Sequence, residues 1–580
     1  MFLATLYWSE EHPETLRPTL PIELLSFIIA RSIFASRVGL LCRKLNLGSW
    51  NTRTYKGFIV EAEASTARGV QYTTYKRTIK CNAAAILYPK TVAEIQTIVR
   101  EAARRNQTVK AVGSRHSGND NFCTEGIAIF MENIRNVKYN NDMTVTAGAG
   151  LEILDLMTKL HSKGLALEHA PSFGGISVGG AIATGAHGSS LLHPATLSEL
   201  AVGMTFVDAN GRLRRINADS PDFAAFRVHL GLLGIIVDVT LPVVPQFKIR
   251  IHNYRASEDI LLNGQALAMA RKIDFFQLWW FPSTRSVVVS AGNYTTCEED
   301  GDVKMNLIPD IPPLAVAGYS TLFELSQALK LQPNMFLYQG ITQLSLYRRA
   351  PGKPLVLTED GVTPKNPGTG YSHKILVSRC RNCAWTPKAL PVRDNAIALS
   401  FDIHRLDEVV HTIRAVYNEA PVSFPLYGIN FRFTRAAKSL VALESGRESV
   451  HIDLLSVMRR DEINKPRLGL ASYQAITQLL ADKVDGRAHH GKNGLYYSSK
   501  KMFFSKYPNA KKFAEIVSRY DPKGIFLNNF GRRILGLTDA VQLPANTKHC
   551  ALEDFCVCSV DSDCAKGQRC RRWMGTNVCK

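Results

Sequence analysis

The stretch "PSFGGISVGGAIATGAHGSS", Pro171 to Ser190, carries Gly174, Gly175, Gly179, Gly180, Gly185 and Gly188 within fifteen residues. Without a Cβ, glycine allows tight turns and close backbone approach that other residues resist. On the glycines alone, two readings stand side by side. One is a loop of tight turns. The other is a set of main-chain N–H groups cradling an anion such as a pyrophosphate. The stretch is neither G-x-G-x-x-G after a strand nor G-x-x-x-x-G-K-S/T, so Rossmann and P-loop sites are excluded.

The flanks of this stretch have a clear rhythm. "YPKTVAEIQTIVREAARRNQ" repeats Val92, Ile95, Val99 and Ala102 at helical spacing, and Thr91 with Glu94 predicts a capping box. "TVKAVG" and "MTVTAGAG" predict short strands, and "LEILDLMTKLHSKG" a helix stopping at Gly164. "LAVGMTFVDANGRLRRI" predicts a hairpin with Asn-Gly at its tip, and "LGLLGIIVDVTLPVV" a further strand. Residues 76–246 therefore read as one α+β domain. "FFQLWWFPSTRSVVVSAG" and "AIALSFDIH" predict sheet and "RLDEVVHTIRAVYNEA" a helix, so 247–545 reads as a second α+β domain. Residues 1–75 form an N-terminal extension and 546–580 a distinct tail.

Six of the twelve cysteines, Cys550, Cys556, Cys558, Cys564, Cys570 and Cys579, fall in that tail. An even count in a short, core-poor segment predicts a disulfide-stapled module, and the paired C-x-x-C knuckles of a zinc site are absent. No metal is expected. Disulfides imply an oxidising compartment, which agrees with sequons at Asn106 and Asn293 and points to the secretory pathway. The apolar run at 22–42 is interrupted by Arg31 and Arg37, which fits an amphipathic or displaced targeting segment better than a membrane span. The formal charge of +20 is spread along the chain without a basic block, so nucleic acid is not an expected partner. It suits association with an anionic surface, an acidic cell-wall polysaccharide or a membrane. Cys380 and Cys383 form a C-x-x-C with no thioredoxin-like setting around it, and a small disulfide loop is expected there.

"VGSRHS" at 112–117, followed by the glycine-rich stretch, resembles the PCMH-type flavin domain of the vanillyl-alcohol oxidase superfamily. "FFQLWWFP", "GRAHHGKN" and "RYDPKGIFLNNFGRRILG" extend the likeness to the aldonolactone oxidase branch, with His490 where tryptophan is usual. The cysteine tail is similar to tails on plant L-gulonolactone oxidase-like proteins. The resemblance covers residues 76–580. It implies an α+β fold: a two-subdomain FAD-binding domain, an α+β substrate (cap) domain and a small disulfide-rich tail. It also implies an FAD-dependent oxidase of aldono-1,4-lactones, with oxygen as acceptor.

Carried over by position, His116 is the expected covalent attachment point for FAD. Val112, Gly113, Ser114, Arg115, Ser117, Pro171, Gly179, Gly180, Thr184, Gly185, Gly188, Ser189, Ile235 and Ile236 are expected around the cofactor. Pro171 stands where the superfamily sets oxygen access. Ser172, Arg432, Lys492 and His489 are the expected catalytic set, with His489 the general base if one is used. The family often has glutamate two residues before the arginine; Asn430 stands there and cannot act as a base. The enzymatic alternatives are a dehydrogenase using another acceptor and an alditol or sugar oxidase. Oligosaccharide oxidases often add a cysteine bond to flavin, and Gly174–Ser190 holds no cysteine. A cell-wall binding protein with a silent flavin site is the alternative of another class.

Overall fold

The computed structural model describes residues 69–74, 79–295, 300–305, 356–361, 363–379, 392–421, 428–459, 464–466, 469–538, 543 and 547–580. The apolar run at 22–42 and the Cys380/Cys383 pair lie outside them.

Parallel strands cannot be joined by a hairpin and need a crossover. Ala85–Leu87 (β1) is followed by the helix Val92–Arg104 (α1), then Val109–Val112 (β2) and Ile127–Phe130 (β3); β3 lies between β1 and β2 and runs parallel to both. Helix α1 buries Ile95, Val99 and Ala102, the expected stripe. Its cap differs in one detail from a capping box. Thr91 Oγ1 accepts the N–H of Glu94 at 3.2 Å, but Glu94 reaches back to the N–H of Lys90 at 2.8 Å rather than to that of Thr91.

A five-stranded antiparallel sheet follows. It uses Val137–Tyr139 (β4), Thr144–Gly148 (β5), Gly203–Val207 (β6), Leu213–Asn217 (β7) and Ile235–Pro242 (β8), in the order β7-β6-β8-β5-β4. The β6–β7 hairpin is wider than its Asn-Gly suggests. Asp208 Oδ1 gathers the N–H groups of Asn210 and Arg212, both at 2.9 Å, and Gly211 takes φ +72°. Ile153–His161 (α2) and Val178–Thr184 (α3) complete this half. Part of the glycine-rich stretch is therefore helix and not a string of turns. Ser177 caps α3 by accepting the N–H of Gly180 at 3.3 Å, and Gly185 ends it at φ +65°.

The second half is one antiparallel sheet of eight strands. These are Lys248–Ser257 (β9), Phe275–Phe281 (β10), Ser286–Thr295 (β11), Gly368–Tyr371 (β12), Val392–Asp402 (β13), Ile429–Thr434 (β14), Ser449–Arg459 (β15) and Arg487–Ala488 (β16), in the order β12-β9-β11-β10-β14-β15-β13-β16. Alternation at period two sorts its residues. Phe276, Leu278, Trp280, Ile397, Leu399, Phe401, Ile429, Phe431, Phe433, Val450 and Ile452 form one apolar face. Leu406–Glu419 (α4) and Leu470–Asp482 (α5) cover that face with Val409, Ile413, Tyr473, Ile476 and Leu480.

The C-terminal part of the chain then returns to the first half. Phe513 and Ile516 from Ala510–Tyr520 (α6) and Phe530 from Asn529–Ile534 (α7) share a core with Ile95, Val99, Leu156, Ile182 and Val239. Beyond it, the tail is closed by Cys550–Cys556, Cys558–Cys570 and Cys564–Cys579 and ends in a hairpin of Cys570–Trp573 (β17) and Thr576–Cys579 (β18). A further disulfide, Cys81–Cys123, is not announced by any local spacing.

Asp120 and Arg533, 413 positions apart, form a buried bidentate pair at 2.7 and 3.0 Å. Removing one partner strands the other without water. Asp120→Ala is expected to lower unfolding free energy by roughly 3–5 kcal/mol, read as a lower urea midpoint, and Asp120→Asn by less.

Candidate functional site

The loop leaving β2 is held on several sides. Gly113 is not there for an unusual dihedral; a Cβ at this position would run into Ser177 Oγ at the start of α3. The left-handed residue is Arg115, at φ +60°, with its guanidinium 5.3 Å from the centre of the Phe130 ring. His116 follows, half-buried, its ring edge-on to Phe173 with centroids 4.7 Å apart. The loop then locks onto "HHGKN". Gly118 N–H donates to Gly491 O at 2.7 Å, and Asn119 Nδ2 and Asn121 Nδ2 donate to His490 O at 2.7 and 3.2 Å.

Facing this loop is the polar side of the eight-stranded sheet. Gln277 on β10 is level with Arg432 on β14 and His451 on β15; one step along, Trp279, Asn430 and Asp453 are level. Between loop and sheet lies a cavity of about 340 Å³, within the range of small-molecule and cofactor sites. Gly113, Ser114, Arg115, His116, Ser117, Pro171, Ser172, Gly180, Thr184, Arg432, His489 and Lys492 all line it. The other expected cofactor residues are not among the lining residues. Val112, Ile235 and Ile236 are buried in the strands. Gly179 lets α3 approach Ala149, and Gly185 closes α3. Gly188 lies where a Cβ would meet His169 and the Ala170 carbonyl. Ser189 Oγ accepts the N–H of Phe433 at 3.0 Å and donates to Phe276 O, tying the glycine stretch to β10 and β14.

Lining residues that motif reading passes over are Gln277, Trp279, His187, Asp453 and Lys110. For Gln277 a signal is present, a lone polar residue in the otherwise apolar strand "FFQLWWF", and for Asp453 a run of polar residues, Ser449, His451 and Asp453, at alternate positions of its strand. Lys110 is fully buried and donates to Leu230 O and Gly231 O at 3.1 and 2.9 Å. Burial pushes its ammonium down to about 7, partly opposed by Asp521 and Asp120.

The charges concentrate at one end. Asp453 Oδ1 accepts from Lys492 Nζ at 2.6 Å, Asp453 Oδ2 pairs with Arg432 Nη2, and Arg432 Nη1 donates to His187 O at 3.1 Å. Burial works to raise the Asp453 carboxyl, but Arg432 and Lys492 overcome it and hold the group well below the carboxylate range. His187, His451 and His489 surround the cluster, His187 stacked on His451 at 4.0 Å. Burial above all, and the neighbouring cations, hold all three imidazoles well below the ordinary histidine range. With the imidazoles neutral, the two cations exceed the one carboxylate and the region carries net positive charge. His489 Nδ1 accepts the N–H of Gly491 at 2.9 Å, which puts its proton on Nε2. Across the cavity, burial first, then Arg115 and Arg379, push His116 down to about 4.

Ser172 Oγ, Gln277 Nε2, Trp279 Nε1 and Arg432 Nε are buried without a hydrogen-bond partner among the described residues. Buried polar groups are ordinarily paired. A cavity with orphaned donors, net positive charge and a neutral imidazole at its wall fits a polar heteroaromatic cofactor with an oxygen-rich substrate beside it.

Such a fold and site define an FAD-dependent oxidoreductase. A family profile described as "FAD binding domain" matches residues 83–217. That described as "D-arabinono-1,4-lactone oxidase" matches 239–354 and 358–534, and the chain belongs to this family of aldonolactone oxidases. It is 29% identical to the probable L-gulonolactone oxidase 1 of Arabidopsis thaliana, over 85% of this chain and 86% of that one. It is 28% identical to the L-gulonolactone oxidase of Bos taurus, over 80% of this chain and 98% of that one. Among solved structures, a solvent-stable cholesterol oxidase superposes with TM-score 0.63 at 17% identity, covering 81% of this chain and 98% of its own, and shares the fold.

His169, His187, His229, His451, His489 and His490 are all buried with lowered pKa, about 4 for His169 and His490 and about 3 for His229. Unfolded, each would take up a proton below pH about 6.5. Their contribution to stability is therefore complete above that pH and is lost as pH falls towards the folded values. Carboxyls raised by burial, Glu444 foremost at about 8, work the other way but are fewer. The urea midpoint is expected to be clearly lower at pH 5 than at pH 7.5, with net proton uptake on unfolding across that interval.

Proposed function

We propose that the chain oxidises the 2-hydroxyl of an L-gulono-1,4-lactone-type substrate, giving ascorbate or an analogue and hydrogen peroxide, with FAD attached through His116. The observation that carries this reading is that His116 and the Arg432–Asp453–Lys492 cluster line one cavity in a chain of this family. When bound, FAD supplies the acceptor for the substrate's hydride and the route of its electrons to oxygen.

The chain's own residues have separable tasks. A neutral imidazole is nucleophilic, and the lowered pKa of His116 supports it as the attachment point. Gly113, Ser114, Arg115, Ser117, Gly180 and Thr184 border the cofactor side, with Pro171 at the wall. Gly179, Gly185, Gly188, Ser189, Val112, Ile235 and Ile236 hold that wall in place from behind. Arg432 and Lys492 place positive charge where an enolate-like substrate or a reduced cofactor gathers negative charge. Ser172 Oγ, Gln277 Nε2 and Trp279 Nε1 supply hydrogen bonds to lactone hydroxyls. The tautomer of His489 suits donation from Nε2 better than general-base work. Asn430, whose amide is spent on Leu278 O at 3.2 Å, supplies no base.

The four disulfides among the described residues support a secretory route, and no helix among those residues is long and apolar enough to cross a membrane. Lys566, Arg569, Arg571, Arg572 and Lys580 are exposed around the tail hairpin. This concentration of positive charge supports association with an anionic cell-wall polymer.

Purified protein precipitated in acid is expected to keep its yellow colour, and His116→Ala to release it into the supernatant. Colour lost from the wild-type pellet would refute covalent attachment. L-gulono-1,4-lactone should yield hydrogen peroxide in a peroxidase-coupled assay. Flavin that stays reduced for minutes after anaerobic reduction and admission of air would instead favour a dehydrogenase.

A further inference from the structure

We infer that Asp453 is the positioning residue of this site: a single carboxylate that fixes Arg432 and Lys492 as a paired cationic platform, one strand away from an asparagine that cannot do so. The inference rests on the oxidase reading above and adds a residue that motif matching does not supply.

Geometry carries it. Each carboxylate oxygen of Asp453 serves a different cation, Oδ2 that of β14 and Oδ1 that of the 489–492 loop. Two segments that share no local sequence are thus coupled through one group. Asp453 is the only carboxylate among the described residues lining the cavity. Its cross-strand partner is Asn430, whose amide is turned onto the β10 main chain at Leu278 O. Asn430 therefore has neither the charge nor the orientation to anchor Arg432. Asp453 has both. With Nη2 on Asp453 and Nη1 on His187 O, the guanidinium is held at two points, and its Nε is left without a partner among the described residues. A planar, pre-oriented donor of this kind loses little freedom when it binds a ligand oxygen.

The alternative is a buried salt bridge that only holds the sheet and loop together. The two roles differ in what Asp453→Asn does. The amide keeps the size and can still accept a hydrogen bond from Lys492, but it removes the charge that balances two neighbouring cations. Turnover of L-gulono-1,4-lactone by Asp453→Asn is expected to fall about tenfold or more in kcat while KM changes less, at unchanged flavin content. Independently of turnover, Lys492 should become several-fold more reactive towards acetic anhydride at a fixed pH near 8, read by peptide mass spectrometry, because the carboxylate no longer favours its ammonium form. The Lys492 side chain is 28% exposed. The double variant Asn430→Glu/Asp453→Asn, which moves the carboxylate to the neighbouring strand, should regain a large part of the lost kcat.

Wild-type kcat together with unaltered Lys492 reactivity in Asp453→Asn would overturn the inference. If Asp453→Asn does not fold, the double variant is read alone: folded, flavin-loaded protein without turnover overturns it, and recovered turnover supports it. A wild-type protein inactive on every lactone, yet showing the Lys492 response, would sink the proposed substrate and leave the positioning role standing.

Discussion

Main-chain approach between two distant loops sets the terms for the rest of this structure. The Gly118 N–H to Gly491 O bond, with Asn119 and Asn121 on the His490 carbonyl, joins segments 371 and 369 positions apart at the two asparagines. These bonds use main-chain and amide groups, and glycine at 113 lets the first loop pass close to Ser177. A Cβ on Gly113 would run into Ser177 Oγ where the first loop meets the start of α3, whereas one on Gly491 would make only an ordinary 3.4 Å contact with Ser117 Oγ. The Gly118, Asn119 and Asn121 bonds anchor the segment that follows His116 to the 489–492 loop, and breaking them would leave buried polar groups unpaired.

The sheet imposes the complementary condition. Its apolar face has to be filled by α4 and α5, so residues of opposite parity on β10, β14 and β15 are turned towards the loop. Polar side chains there must be satisfied by one another or by a ligand. Asp453 pairs with both Arg432 and Lys492, and His451 Nε2 pairs with Thr434 Oγ1 at 2.7 Å. Gln277 Nε2, Trp279 Nε1 and Ser172 Oγ do not find partners among the described residues. The burial that forces this pairing also keeps the imidazoles neutral, so the positive charge stays localised on Arg432 and Lys492.

Much of this is legible in the sequence. The helical stripe of α1, the short strands around it, the stapled tail and the order of the motifs are local signals, and local signals survive folding. His116, Arg432 and Lys492 stand out because motifs surround them. Asp453 has no such motif around it, and Gln277, though inside "FFQLWWFP", acquires its meaning only through register, when Arg432 is placed opposite it. The pairing of Cys81 with Cys123 is hidden for the same reason. The glycine stretch is ambiguous because its middle is a helix capped by its own Ser177, with Gly179 allowing close approach to Ala149, a contact that lies outside the stretch.

The tail answers the same demand from buried polar groups. Helix α5 is buried on nearly every side, with Tyr473, Ile476 and Leu480 against the sheet. Its remaining side carries Gln474 and Gln478, one helical turn apart. Gln474 exchanges hydrogen bonds with Ala551 O at 2.7 Å and Cys579 N at 2.9 Å, and Gln478 donates to Asn577 O at 2.8 Å. Two buried glutamines left bare would each carry the desolvation cost of an unpaired amide. The tail backbone meets that need, and disulfides hold the backbone in shape because so short a segment cannot build a core of its own. It is thus a third layer behind the sheet, continuous with the helix that backs the site, and its basic hairpin is carried at a fixed position on the enzyme rather than on a loose tether.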